Sequence, residues 1–77
     1  MLPFVGLALN VQEKMEMADA QSKSLVMRFC KIYSPEKIGV IVKEAQSYPW
    51  WRSNPKAAFM KAVGVINKEE KEAYAMA

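Results

Sequence analysis

The amino-acid sequence predicts an all-α protein, folded as a compact bundle of three helices. Apolar residues recur at helical spacing in three stretches of the chain. Two of these stretches open with a capping residue followed by proline, which is typical of a helix start. A segment without periodicity, bounded by prolines, lies between the second and third stretches. With 77 residues, the chain is predicted to form a single helical domain, residues 1–77.

The first predicted helix covers about residues 11–33. Asn10 is a good N-cap, and Glu13 stands in the capping-box position three residues later. The apolar or small residues that follow alternate at spacings of four and three, as in one continuous helical seam. We expect this seam to pack within the bundle, with a short antiparallel coiled coil as the alternative. The seam consists of Val11, Met15, Ala18, Ser22, Leu25, Phe29 and Ile32.

The second predicted helix covers about residues 35–47. Ser34 supplies the N-cap, Pro35 the first helical position and Glu36 an acid in the first turn. Residues 38–42 are rich in β-branched side chains, so a strand is the competing prediction there. The cap and the flanking polar residues favour a helix. Its apolar face consists of Ile38, Ile41, Val42 and Ala45.

The third predicted helix covers residues 55–67 or beyond. Asn54 or Ser53 can cap it, with Pro55 at its first position. The helix either continues through the charged stretch 68–72 or gives way to a frayed tail after Asn67. Its apolar face consists of Ala58, Phe59, Ala62, Val63 and Ile66.

The aromatic loop between helices two and three holds the densest group of candidate binding residues: Tyr48, Trp50, Trp51 and Arg52. Three aromatic rings and a guanidinium can stack on nucleotide bases or anchor a protein partner. Aromatic residues in a small domain also often belong to the core. We therefore expect one tryptophan to be buried and the other partly exposed.

Lysines along the third helix extend this candidate site. Lys56, Lys61 and Lys68 could contact phosphates, and Asn54 lies at a helix start whose free N–H groups suit an anion. Exposed lysines on an amphipathic helix are also commonly a solvated face. The net charge of +3 is unevenly placed, with −2 in residues 1–19, −2 in residues 69–77 and +7 in residues 20–68. An anionic partner would be drawn to the middle of the chain.

The composition argues against catalytic and metal chemistry. The chain has one cysteine, Cys30, and no histidine, which excludes an internal disulfide and the usual metal ligands and removes the commonest general base. We predict that the protein is not an enzyme and has no cofactor and no metal. Cys30 lies in an apolar run, which favours a buried, inert thiol and a cytoplasmic, reducing setting.

The apolar segment of residues 1–9 has neither the basic region of a signal peptide nor the length to cross a bilayer. We expect it to pack on the core or on a second subunit. A shallow membrane anchor is the weaker alternative, because no basic face adjoins the segment in sequence. A core of this size supplies only about 3–5 kcal/mol, so a homo-oligomer or a complex is expected.

Residues 25–66 resemble the C-terminal helical module of plasmid and phage replication initiator and replisome organiser proteins. The resemblance rests on LVMRF at 25–29, YSPEKI at 33–38 and NPKAAFMKAV at 54–63. In those proteins an aromatic-proline-glutamate step leads into a second helix, and an Asn-Pro-x-x-Phe-like start opens a third. The double tryptophan and the acidic first helix depart from the pattern, as does the lack of the winged-helix domain that usually precedes the module.

The resemblance implies a role in DNA replication or mobile-element biology, with DNA or a replication protein such as the helicase as partner. Together with the basic and aromatic residues, it predicts a non-enzymatic binding module. The alternative is a small protein-protein interaction module, an inhibitor or adaptor encoded by a phage, that docks a host protein through the Trp loop or the apolar N-terminus. The predicted contact residues are Tyr48, Trp50, Trp51, Arg52, Asn54, Lys56, Lys61 and Lys68.

Overall fold

Four α-helices make up the fold, which was obtained as a computed structural model that describes residues 3–76. The helices are α1 (Pro3–Lys14), α2 (Ala20–Ile32), α3 (Pro35–Gln46) and α4 (Pro55–Met76). No strand occurs among residues 3–76, so the predicted all-α class is confirmed and the β-strand alternative at residues 38–42 is wrong. None of the helices in this range is long and apolar enough to cross a membrane.

The prediction of three helices is wrong because residues 11–33 do not form one helix. α1 starts at Pro3 and runs through Asn10, which is therefore not an N-cap. The chain then reverses at Glu16, whose φ is 56°. The N–H of Met17 donates to the carbonyl of Gln12 at 2.8 Å and that of Glu16 to Glu13 at 3.3 Å. This bonding pattern is a Schellman motif, which closes a helix with a left-handed residue.

A side-chain cap starts α2 just beyond that reversal. Asp19 accepts the backbone N–H of Ser22 at 3.0 Å and the Ser22 hydroxyl at 2.7 Å. These bonds lower the pKa of the Asp19 carboxyl. The spacing of four and three residues between apolar positions continues through the turn between α1 and α2, because Met15 is buried within that turn. Two residues of the predicted seam, Ala18 and Ile32, are exposed.

The start of α3 and the start of α4 follow the capping signals. Ser34 caps α3, accepting the N–H of Lys37 at 3.2 Å, and Pro35 is the first helical residue. Asn54 caps α4, accepting the N–H of Ala57 at 3.2 Å. α4 continues through the charged stretch 68–72, so the alternative of a frayed tail after Asn67 is wrong.

The helices pack as two pairs, α1 on α2 and α3 on α4. The pairs share one core, in which Phe29 of α2 lies 5.8 Å from the ring of Phe59 in α4. Ala8 of α1 is buried in it, and Phe4 and Leu7 pack against it, so part of the apolar N-terminal segment packs on the core as expected, whereas Leu9 is exposed; Met1 and Leu2 lie outside the described residues.

Lys37, on α3, links that helix to α4 and to the end of α2. Its Nζ donates to Asn67 Oδ1 at 2.8 Å, contacts Glu70 Oε2 at 2.9 Å and lies 4.0 Å from the centre of the Tyr33 ring. Asn67 in turn donates to the Tyr33 hydroxyl at 3.1 Å. These contacts fix the middle of α4 against the start of α3 and the end of α2.

Candidate functional site

The aromatic loop, residues 47–54, is folded into consecutive turns between α3 and α4. The N–H of Trp51 donates to the Tyr48 carbonyl at 3.1 Å, and the N–H of Ser53 donates to the Trp50 carbonyl at 3.0 Å. Pro49 lies inside these turns and restricts the backbone further. The aromatic side chains are therefore carried by a bonded segment of backbone.

The Tyr48–Trp50 stack is the central feature of the site. The two rings are 5.4 Å apart between centroids and only 8° from parallel. Lys61, on α4, places its Nζ 4.9 Å from the centre of the Tyr48 ring and 5.8 Å from that of Trp50. An ammonium at this distance is attracted by the ring quadrupoles. Trp50 keeps 39% of its surface exposed, so a flat apolar surface and a cation are offered together.

Tyr48 anchors this stack to the core. Its ring packs partly buried against the core cluster, and its hydroxyl oxygen is shielded without a hydrogen-bond partner among the described residues. Burial of the hydroxyl, together with the Glu44 carboxylate, raises the pKa of Tyr48 to about 12. Tyr48 therefore remains neutral across the physiological pH range.

Trp51 and Arg52 form a second group with different surroundings. Trp51 packs on the core, and the Arg52 guanidinium lies 4.8 Å from the centre of the Trp51 ring. Arg52 Nε also contacts Glu16 Oε2 at 3.2 Å, with both side chains largely exposed. Trp51 is half-buried and Trp50 is exposed, so neither tryptophan reaches the burial predicted for one of them. Arg52 is already paired with an acid, and a phosphate would have to compete for it.

Of the remaining predicted contact residues, one caps a helix and the others are exposed lysines. The side chain of Asn54 is engaged in capping α4. Lys56 is exposed and close enough to Asp19 to help lower the pKa of that carboxyl. Lys61 and Lys68 are exposed and form no ion pair within the described part of the chain. Seven residues apart, they share a face of α4 and are separated by about 10 Å.

The structure thus brings Tyr48, Trp50 and Lys61 together and sets Trp51 and Arg52 beside Glu16. Sequence reasoning did not identify Glu16 or Glu44 as neighbours of the site. Local sequence holds no signal for Glu16, which lies 36 residues from Arg52. Glu44 precedes Tyr48 by four residues, and this one-turn spacing is the signal that could have indicated that contact.

Other chemistry-bearing groups lie outside this site. No group of three or more His, Cys, Asp or Glu residues that could hold a metal ion occurs among residues 3–76. Cys30 is buried, as predicted, and burial raises the pKa of its thiol.

Comparison with known proteins adds no relative. No family model matches the chain, and neither the curated proteins nor the solved structures give a match.

Proposed function

We propose that this protein is a non-enzymatic binding module that contacts nucleic acid through the Tyr48–Trp50 stack and the neighbouring cations Lys61 and Lys68. The observation that carries the proposal is the position of Lys61 over two parallel aromatic rings, one of them substantially exposed. Proteins that bind nucleic acid combine such stacking surfaces with cations that neutralise phosphates.

The cellular context of this proposal rests on the resemblance of residues 25–66 to replication initiator and replisome organiser modules. That resemblance favours a cytoplasmic role in DNA replication or in the biology of a plasmid or phage. The uneven charge agrees with an anionic partner, because residues 20–68 carry +7 of formal charge.

The test is a fluorescence anisotropy titration of labelled oligonucleotides over a series of salt concentrations. We expect saturable binding whose affinity falls with salt, and we expect Lys61→Ala to weaken it and to reduce the slope of log affinity against log salt by about one. Lys43→Ala is the matched control, because Lys43 is an exposed lysine on α3 that has no ion pair with a described residue.

Equal effects of the two substitutions would contradict the assigned surface. Failure of the unmodified protein to bind at low salt would contradict nucleic-acid binding altogether.

A protein partner is the second candidate, and the Trp51–Arg52 pair favours it. Trp and Arg are the residue types most often found at the centre of protein interfaces, and Arg52 lies over the Trp51 ring at the surface. Such a partner, a replication protein or a host protein, would bind with little dependence on salt. Arg52→Ala would weaken that binding, whereas Lys61→Ala would spare it.

A further inference from the structure

We infer that this surface takes single-stranded nucleic acid in preference to duplex, with an unpaired base stacking on Trp50. The inference rests on the proposed function and names the substrate class of the same site. Four features of the site carry it: the exposure of Trp50, its orientation, the turns that hold it, and the arrangement of cations along α4.

The two rings of the stack have unequal access to a ligand. Tyr48 is partly buried and its hydroxyl is shielded, whereas Trp50 is 39% exposed. Because the rings are stacked and Tyr48 packs against the core, Tyr48 lies between Trp50 and the rest of the protein. A base added to Trp50 would extend an existing stack, and stacking contributes about 1–3 kcal/mol per base in single-strand binding proteins.

The turns of the aromatic loop keep the indole in place before any ligand binds. Hydrogen bonds to the Tyr48 and Trp50 carbonyls fix the backbone on both sides of Pro49. A ring held in this way loses little conformational freedom on binding, which favours affinity.

A duplex cannot use this surface in the same way. Its bases are already stacked on their neighbours, so Trp50 could reach a base face only if that base were unstacked at a cost of a few kcal/mol. The exposed ring also lies in a turn between helices rather than along a helix that could enter the major groove. An unpaired strand meets neither obstacle.

The cations next to the stack lie on one face in the middle of α4. Lys61, Gly64 and Lys68 recur at spacings of three and four along α4, so they share this face, and Glu72 ends the row of cations one turn beyond Lys68. All three are exposed, and a Cβ placed on Gly64 would meet no atom within 4 Å. Gly64 therefore leaves open space between two lysines. One strand can lie along this face with its phosphates near the lysines and a base over Trp50.

The experiment compares a labelled single-stranded oligonucleotide with the duplex of the same sequence, using the unmodified protein, Trp50→Ala and Trp50→Tyr. We expect the single strand to bind at least about tenfold more tightly than the duplex. Trp50→Ala should lose about 5- to 150-fold in affinity for the single strand, which is the factor that corresponds to 1–3 kcal/mol. Its affinity for the duplex should change little, and Trp50→Tyr should restore most of the preference by restoring a ring.

Duplex binding equal to or tighter than single-strand binding would overturn the inference while leaving the proposed function in place. An equal loss on both substrates in Trp50→Ala, with helicity unchanged by circular dichroism, would also overturn it. Absence of binding to either substrate at low salt would instead refute the proposed function on which the inference rests.

Discussion

Tyr48 combines two different environments in one side chain. Its ring stabilises the site by packing on the core and stacking with Trp50, whereas its hydroxyl is shielded without a hydrogen-bond partner among the described residues. The Glu44 carboxylate is near enough to raise the pKa of this hydroxyl but forms no hydrogen bond of good geometry with it. A buried polar group without such a bond costs about 1–3 kcal/mol. The effects of the ring and of the hydroxyl on stability can therefore be separated by mutation, because phenylalanine keeps the ring and removes the hydroxyl.

Tyr48→Phe should unfold at the same urea concentration as the unmodified protein or at a higher one near neutral pH. A pH series adds a sharper test. The pKa of Tyr48 is raised in the folded state from 10.0 to about 12, so the folded state holds this proton more tightly than the unfolded state. The contribution of this proton to the free energy of unfolding is fully present below pH 10 and is lost as the pH rises towards 12.

The difference in unfolding free energy between the two proteins should therefore shift in favour of Tyr48→Phe as the pH rises from about 10 to about 12. The two proteins share every other titratable group, so the comparison isolates the Tyr48 hydroxyl. A difference that stays constant across this range would show that the Tyr48 hydroxyl is not in the environment described.

At the scale of helices, some helix ends carry a clear signal in the local sequence and others do not. Ser34-Pro35 and Asn54-Pro55 combine a cap with a proline, so both helix starts were predicted to the residue. The end of α1 has no such signal, because its left-handed position is occupied by Glu16 instead of glycine. The apolar spacing also continues past it. The apolar periodicity therefore predicted one continuous helix where the backbone forms two, α1 and α2.

Glu16→Gly should stabilise the fold, because a left-handed conformation at a residue with a Cβ costs roughly 1–2 kcal/mol. The substitution also removes the exposed contact with Arg52, which is worth about 0–1 kcal/mol. Glu16→Gln is the matched variant, since it removes the charge and keeps the strained backbone. Urea unfolding should rank Glu16→Gly above Glu16→Gln by about 1 kcal/mol, and the reverse order would contradict the Schellman assignment.

Over the whole molecule, α1–α2 and α3–α4 are joined mainly by long-range contacts that one sequence does not reveal. Phe29 meets Phe59 across 30 positions, and Lys37 meets Glu70 across 33. The same limit applies to the site: composition identified Tyr48, Trp50 and Lys61 as candidates, but only the packing of α4 against the loop sets Lys61 over the stack. The all-α class, in contrast, follows from periodicity and capping.

Phe59 should control whether the two helix pairs stay together. It is fully buried, and truncating a buried phenylalanine costs about 3–5 kcal/mol, which matches the whole contribution of a core in a domain of this size. Phe59→Ala should therefore be largely unfolded, with lost helicity in circular dichroism, whereas Phe59→Leu should remain folded with a lower midpoint. A cooperative transition in Phe59→Ala close to that of the unmodified protein would contradict this single shared core.

Positive charge is not confined to α4. α2 contains no acidic residue, and its Lys23, Arg28 and Lys31 are all exposed. A polyanion will therefore be attracted to more than one face of the protein, and affinity alone does not identify the contact. The emission of Trp50 does, because an indole responds to a base stacked on it.

The most direct test is the emission of Trp50 in a Trp51→Phe background during titration with a single-stranded oligonucleotide at low and moderate salt. We predict a saturable change in emission with an affinity that falls as salt rises, and a weakened response in the additional presence of Lys61→Ala. Salt-sensitive binding by anisotropy with no change in Trp50 emission would place the nucleic acid on another face and contradict the account.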